Sequence, residues 1–184
     1  MNLESFTFSS NSSLLETIIL NESYNLKYIN VHAEHLKQFS VSGCHDCLKA
    51  TINTPNLVSF IFKEFLKSKV FVKATNLREA GILIWDLWDG DLLAFNEPWR
   101  HFITLRDFLE KFGFSEKVTL YIREFKTLIF SEEFRKNFSS PLYGVNHLFV
   151  MTNSPKEVKD IYDFKDSLAW IAPSTNKLSF RQRI

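Results

Sequence analysis

The feature of this sequence that most restricts its fold is a short apolar pattern that recurs at an almost constant interval. Four segments in the first half carry the spacing L-x-x-L-x-L, and their last apolar residues stand at positions 20, 41, 62 and 82. The segments are Leu15-x-x-Ile18-x-Leu20, Leu36-x-x-Phe39-x-Val41, Leu57-x-x-Phe60-x-Phe62 and Leu77-x-x-Ala80-x-Ile82. Because so short a repeat cannot enclose its own apolar face, neighbouring repeats must stack to bury it.

A second series of apolar segments lies between the members of the first. Its segments begin at Leu3, Leu26 and Leu48, so its interval is close to that of the first series. Apolar and polar residues alternate within both series, and such alternation is typical of a half-buried strand. Each repeat therefore supplies two short strands. The pattern predicts a leucine-rich-repeat solenoid, and the best copy, Leu36 to Cys44, also carries the turn cysteine of such repeats.

The second half of the chain repeats with a longer period and adds helices. The apolar strand positions Leu120, Val150 and Phe180 are evenly spaced, with a wider interval than in the first half. Helix-start signals lie between them, at Thr104, at Ser131 and at the capping box Ser154-Pro155-Lys156-Glu157. The predicted fold class is therefore α/β, with short β-rich coils of about 21 residues followed by βα coils of about 30 residues.

We expect a single leucine-rich-repeat domain over residues 1–184. Short β-rich repeats would occupy 1–84, an irregular loop 85–103 and longer βα repeats 104–184. The first repeat begins at Leu3 with no polar capping segment before it, although the end coil of a solenoid normally needs one. We therefore expect that an N-terminal cap is missing, because the chain is a fragment or because a partner covers this edge.

The composition agrees with a packed core and excludes several classes of function. Hydrophobic residues make up 45% of the chain, which excludes disorder. The 22 Lys and Arg residues nearly balance the 21 Asp and Glu residues, so the net charge of +1 predicts neither a nucleic-acid nor a membrane partner. The sequence has no secretory signal and no apolar stretch near the roughly 20 residues of a membrane span, so we expect a cytoplasmic or nuclear location.

One group of residues could carry chemistry. His32-x-x-His35 is followed by Cys44 and Cys47, and thiolate with imidazole is a ligand set that zinc prefers. A structural role explains these residues better, because Cys44 already occupies a repeat turn and the intervening strand would separate the two pairs. A thiol nucleophile is disfavoured because nothing supplies an orienting third group. We therefore expect no metal, no cofactor and no enzymatic activity, with a small zinc or thiol site as a weak alternative.

Several stretches of the chain carry family-specific packing motifs. In the first half they are Leu36-Lys-Gln-Phe-Ser-Val-Ser-Gly-Cys44, Leu48-Lys-Ala-Thr-Ile52 and Thr54-Pro-Asn-Leu-Val-Ser-Phe60. In the second half they are Leu142-Tyr-Gly-Val-Asn-His-Leu148 and Ser167-Leu-Ala-Trp170-Ile-Ala-Pro173. Together they resemble the repeats and the tail of plant F-box/leucine-rich-repeat (FBD-like) proteins, from about residue 3 to residue 180.

The resemblance implies a role as a substrate receptor of a cullin (SCF-type) ubiquitin ligase. In that family the F-box binds a Skp-type adaptor, and the repeats hold the target protein. No segment of this sequence resembles the F-box, so the adaptor is an expected partner only if an F-box is present upstream. The alternative is a truncated repeat fragment without ligase function.

The candidate binding surface for target proteins consists of the outward-facing x positions of the two clearest repeats. They are Lys37, Gln38 and Ser40 in one repeat and Val58, Ser59 and Ile61 in the next. Only one of the two strand series can line the concave side of a solenoid. The sequence leaves open which series that is, and it does not identify the target or any small-molecule ligand.

Overall fold

A computed structural model describes residues 4–10, 14–44, 49–63, 69–84, 100–152 and 158–182. Within these residues the protein is α/β, with short strands that pair in parallel. This confirms the predicted fold class at the level of α/β architecture. The chain divides into two compact units, Met1–Leu83 and Ile84–Ile184.

Short strands dominate the described part of the first unit. They are β1 (Ser5–Ser10), β2 (Thr17–Asn21), β3 (Tyr28–Ala33), β4 (Gln38–Ser42), β5 (Lys49–Asn53), β6 (Ser59–Lys63), β7 (Lys69–Lys73) and β8 (Glu79–Ile84), which ends at the unit boundary. Successive strands alternate between two sheets. The odd-numbered strands pair in the order β1-β3-β5-β7, and the even-numbered strands pair in the order β2-β4-β6-β8.

The strand register reproduces the two repeat series of the sequence. Phe39 of β4 pairs with Phe60 of β6, which is the equivalent residue of the next repeat. In the other sheet, Ile29 of β3 likewise pairs with Ala50 of β5. The two repeat series therefore correspond to the two sheets, and the period of each is the chain length between neighbouring strands of one sheet.

Alternating apolar residues from both sheets form the core of the first unit. Phe39, Phe60 and Phe62 are fully buried, and Phe60 stacks on Phe39 with 6.0 Å between the ring centroids. Leu36 and Leu57, which precede β4 and β6, are also fully buried. Burial of each such side chain contributes about 1.5–3 kcal/mol, so these repeated positions supply the main stabilisation of the stack.

The described part of the second unit combines strands with helices. Its elements are α1 (Arg100–Glu110), β9 (Lys117–Ile122), a 3-10 helix (Phe125–Leu128), α2 (Glu132–Asn137), β10 (His147–Thr152), α3 (Val158–Ile171) and β11 (Lys177–Gln182). Strand β10 lies between β9 and β11 and pairs in parallel with both. His147 is in register with Lys117 and Lys177, which matches the longer period of this half of the sequence.

The predicted start of the short helix α2 is confirmed. The Ser131 side chain accepts a hydrogen bond from the backbone N–H of Phe134 at 3.2 Å, so Ser131 is the N-cap. The capping box predicted at residues 154–157 lies outside the described residues, and α3 is described from Val158.

The predicted start of helix α1 at Thr104 was wrong. The helix is already present one turn earlier, at Arg100, the first residue described there, so it takes in the last residues of the predicted loop 85–103. Residues 85–99 of that loop lie outside the described residues. Phe102 explains the extension, because its ring centroid lies 5.1 Å from that of Phe130 and 5.8 Å from that of Phe134. A capping signal read locally carries no information about this tertiary contact.

Candidate binding surface

The six residues predicted to form the binding surface lie on β4 and β6 or directly before them. Gln38 is in register with Ser59, and Ser40 is in register with Ile61, so these four residues form two rows across the strands. The residues between them in sequence are buried, whereas Lys37 and Gln38 are exposed and Ser40, Val58, Ser59 and Ile61 are half-buried. These strand positions therefore face away from the core.

Lys37 and Val58 extend this arrangement, because backbone hydrogen bonds also join the two strands there. The carbonyl oxygen of Lys37 accepts hydrogen bonds from the N–H of Val58 at 2.8 Å and from the N–H of Ser59 at 3.0 Å. The ammonium of Lys37 also forms an ion pair with Glu16, one repeat earlier. The structure thus brings the six predicted residues together into one strip, which we call the β4–β6 strip.

Apart from Lys37 and Gln38, the side chains of the β4–β6 strip are small or aliphatic and uncharged. The row of Ser40 and Ile61 continues into Ile19 of β2 and Gly81 of β8. Ile19 is 60% exposed. Such a surface can bind a partner through shape and apolar contact, with backbone regularity setting the spacing of the side chains.

The odd-numbered strands present a second outward face that the sequence analysis did not single out. Tyr28 of β3 and Phe71 of β7 are 50% and 54% exposed. The ammonium of Lys49 on β5 lies 5.9 Å from the centroid of the Phe71 ring, within the range of a cation–π contact. The period-2 alternation of the second series was the signal for these residues, since it places them opposite the core.

The second unit carries a row of basic side chains that the sequence analysis also missed. Lys117, His147 and Lys177 are the first residues of β9, β10 and β11 and are in register. We call these three residues the basic row. The signal in the sequence was the even spacing of Leu120, Val150 and Phe180. Residues that stand three positions before these three must align in the same way.

His147 lies at the centre of the basic row. Its Nε2 atom is 3.3 Å from the Oγ atom of Ser179. Partial burial, the charge of Lys177 and the charge of Lys117 all lower the pKa of His147 below its ordinary value. All three causes disfavour the protonated imidazole.

The weak zinc candidate is only partly described, because Cys47 lies outside the described residues. His32 is exposed on β3, and its Nδ1 atom is 2.9 Å from the Nδ2 atom of Asn53. Cys44 is fully buried after β4, where its thiol is 3.9 Å from the carbonyl oxygen of Ser42. Within the described ranges, no group of three or more His, Cys, Asp or Glu residues is placed to hold a metal ion.

Comparison of the chain with protein-family models, with curated proteins and with solved structures finds no match. In the part of the chain that the structure describes, no helix is long and apolar enough to cross a membrane.

Proposed function

We propose that this chain is a leucine-rich-repeat protein-interaction module, the target-recognition part of an F-box-type substrate receptor. The observation that carries the proposal is the register of β4 and β6, in which equivalent residues of successive repeats lie side by side. A solenoid built in this way keeps its inward positions apolar and leaves its outward positions available for recognition. Those outward positions include the β4–β6 strip.

The proposed mode of action is binding by surface complementarity. The β4–β6 strip offers apolar contact through Ile61 and hydrogen-bonding groups through Gln38, Ser40 and Ser59. An extended segment of a target protein could lie across the strands and contact several outward positions at once. The proposal assigns no covalent chemistry, metal or cofactor to the chain.

A display selection tests the proposal directly. The folded chain is panned against short random linear peptides, and enriched peptides are then measured by fluorescence anisotropy. Ser40→Arg places a bulky charge at the centre of the β4–β6 strip, and we expect it to weaken binding about tenfold or more. Thr51→Arg is the matched control, because Thr51 is an outward-facing, half-buried residue of β5 in the other sheet.

One possible result would contradict the proposed function, and another would contradict only the location of the binding surface. Absence of any enriched peptide from the folded wild-type chain would contradict a peptide-recognition module. Loss of binding in Thr51→Arg but not in Ser40→Arg would move the binding surface to the odd-numbered strands.

The link to a ubiquitin ligase is proposed from the sequence resemblance alone. We propose that a Skp-type adaptor is recruited only by an F-box upstream of the repeats and that the protein acts in the cytoplasm or nucleus. A pull-down of the adaptor by residues 1–184 should therefore give no binding, beside a family member with an F-box as the positive control. Adaptor binding by the repeats alone would contradict this division of labour.

A further inference from the structure

The outward face of β9, β10 and β11 carries basic side chains and no acidic ones. Alternate residues of β9 and β10 are buried, so the remaining positions and their partners in β11 point away from the core. These positions are Lys117, Thr119, Tyr121, His147, Phe149, Met151, Lys177, Ser179 and Arg181. We call them the β9–β11 face. Its members include two lysines and one arginine but no carboxylate.

The β4–β6 strip and its neighbours on the even-numbered strands of the first unit differ from this face in charge. Among the outward positions of β2, β4, β6 and β8, Lys63 is offset by Glu79. The whole chain has a net charge of only +1, so the positive charge of the β9–β11 face is a local feature. Local fields of this kind select partners of opposite charge.

The state of His147 supports this electrostatic description. The charges of Lys177 and Lys117 both contribute to the lowered pKa of His147, in addition to its partial burial. The charges of the two lysines therefore reach the middle residue of the basic row. A carboxylate placed there would interact with both ammonium groups.

The other side chains of the face are of the kind that protein interfaces use. Tyr121 and Met151 are in register on β9 and β10, and Arg181 of β11 is the next residue in the same row. Aromatic residues, methionine and arginine are enriched at protein–protein interfaces, whereas lysine and glutamate are depleted at interface centres. This row adds apolar contact area beside the charged residues.

We propose that the β9–β11 face binds an extended, acidic segment of a partner protein, with the carboxylates of the segment held by Lys117, Lys177 and Arg181. This inference rests on the proposed function, because it states the chemistry of a target that such a module would hold. The odd-numbered strands of the first unit also carry lysines, and the ammonium of Lys49 there lies 5.9 Å from the centroid of the Phe71 ring.

The same peptide selection tests the inference when it is repeated with charge variants. We expect the wild-type chain to enrich acidic peptides. The double variant Lys117→Glu/Lys177→Glu should lose this enrichment and bind an enriched acidic peptide about tenfold more weakly or worse. Lys49→Glu/Lys69→Glu makes the same change of charge on neighbouring strands β5 and β7, and we expect it to bind like wild type.

A second variant keeps the test informative if charge reversal disturbs folding. Lys117→Gln/Lys177→Gln removes the two charges without adding carboxylates. It should weaken the binding of acidic peptides more than the binding of neutral peptides in which glutamine replaces glutamate. Far-ultraviolet circular dichroism and a thermal melt verify that each variant is folded.

The possible results distinguish this inference from the proposed function. The inference would be overturned if the enriched peptides had no acidic bias, or if both double variants of Lys117 and Lys177 kept that bias. Either result would leave the proposed function intact. No enrichment at all would contradict the proposed function itself. Tighter binding of a single-stranded RNA oligonucleotide than of acidic peptides, lost in the same variants, would overturn the assignment to a protein partner.

Discussion

Phe39 and Phe60 are register partners on β4 and β6, and their rings stack with planes 13° apart. Phe60 also stacks with Phe62, two residues along the same strand, with 6.1 Å between the centroids and planes 7° apart. All three rings are fully buried. Phe60 therefore packs both against the neighbouring repeat, through Phe39, and along its own strand, through Phe62.

Replacement of Phe60 by alanine should strongly destabilise the protein. The strands on both sides hold the surrounding backbone in place, so the core cannot collapse fully into the cavity, and we expect a loss of about 3–5 kcal/mol. Urea unfolding measures the change. Phe71→Ala is the matched control, because Phe71 is 54% exposed and should cost far less. Equal losses in the two variants would contradict the stacked core.

Gly144→Ala should destabilise the second unit. The N–H of Gly144 donates to the carbonyl oxygen of Gly113 at 3.0 Å, and a Cβ atom at Gly144 would lie 2.7 Å from that oxygen. The stacked turns must therefore separate, at a cost of about 1–3 kcal/mol in thermal or urea unfolding. The register of β10 and β11 makes Ser174 the equivalent position before β11, where the side chain is exposed. Ser174→Ala should have little effect, and a neutral Gly144→Ala would show that the turns do not pack this closely.

Ser167→Ala should destabilise the protein, because it leaves backbone groups of Phe130 without a hydrogen-bond partner. The buried Ser167 hydroxyl accepts from the N–H of Phe130 at 2.9 Å and donates to the carbonyl oxygen of Phe130 at 3.3 Å. Removing it leaves both backbone groups without this partner, which should cost about 1–3 kcal/mol. Ser59→Ala, on the outward face of β6, serves as the control in the same urea experiment. A loss at Ser167 no larger than that at Ser59 would refute this assignment.

The pKa of His147 should depend on the charges of Lys117 and Lys177. Burial, Lys177 and Lys117 lower its pKa, so the folded chain binds this proton less readily than the unfolded chain. The free energy of unfolding should therefore fall as the pH drops below about 6.5, the ordinary histidine pKa, towards the lowered value. NMR titration of the imidazole measures this midpoint. Lys117→Gln/Lys177→Gln should raise it, and an unchanged midpoint would show that the lysines do not act on His147.

The strands were predictable from sequence because alternation of apolar and polar residues is a local property. The segments around Phe39 and Phe60 carry their strand signal within a single short strand, and Ser131 carries its capping signal within one helical turn. The start of α1 was not predictable in this way. It depends on Phe102 packing against Phe130 and Phe134, which lie beyond the next strand in sequence.

The two candidate surfaces also differ in whether the sequence predicts them. The β4–β6 strip follows from the repeat pattern, because outward positions such as Ser40 and Ile61 are simply those between buried ones. The basic row was missed because its members belong to different repeats and lie far apart along the chain. Single lysines and a histidine are unremarkable in a sequence and form a charged surface only when parallel strands bring them into register.

The sequence by itself determined the periods, the alternating strands and the apolar positions of this protein, because each depends on residues close together along the chain. Tertiary structure alone decided that α1 includes Phe102, whose ring packs against Phe130 and Phe134. It also decided which outward residues become neighbours and how their charges act on one another. Burial and electrostatic fields depend on distances in space, and those distances exist only after the repeats have stacked.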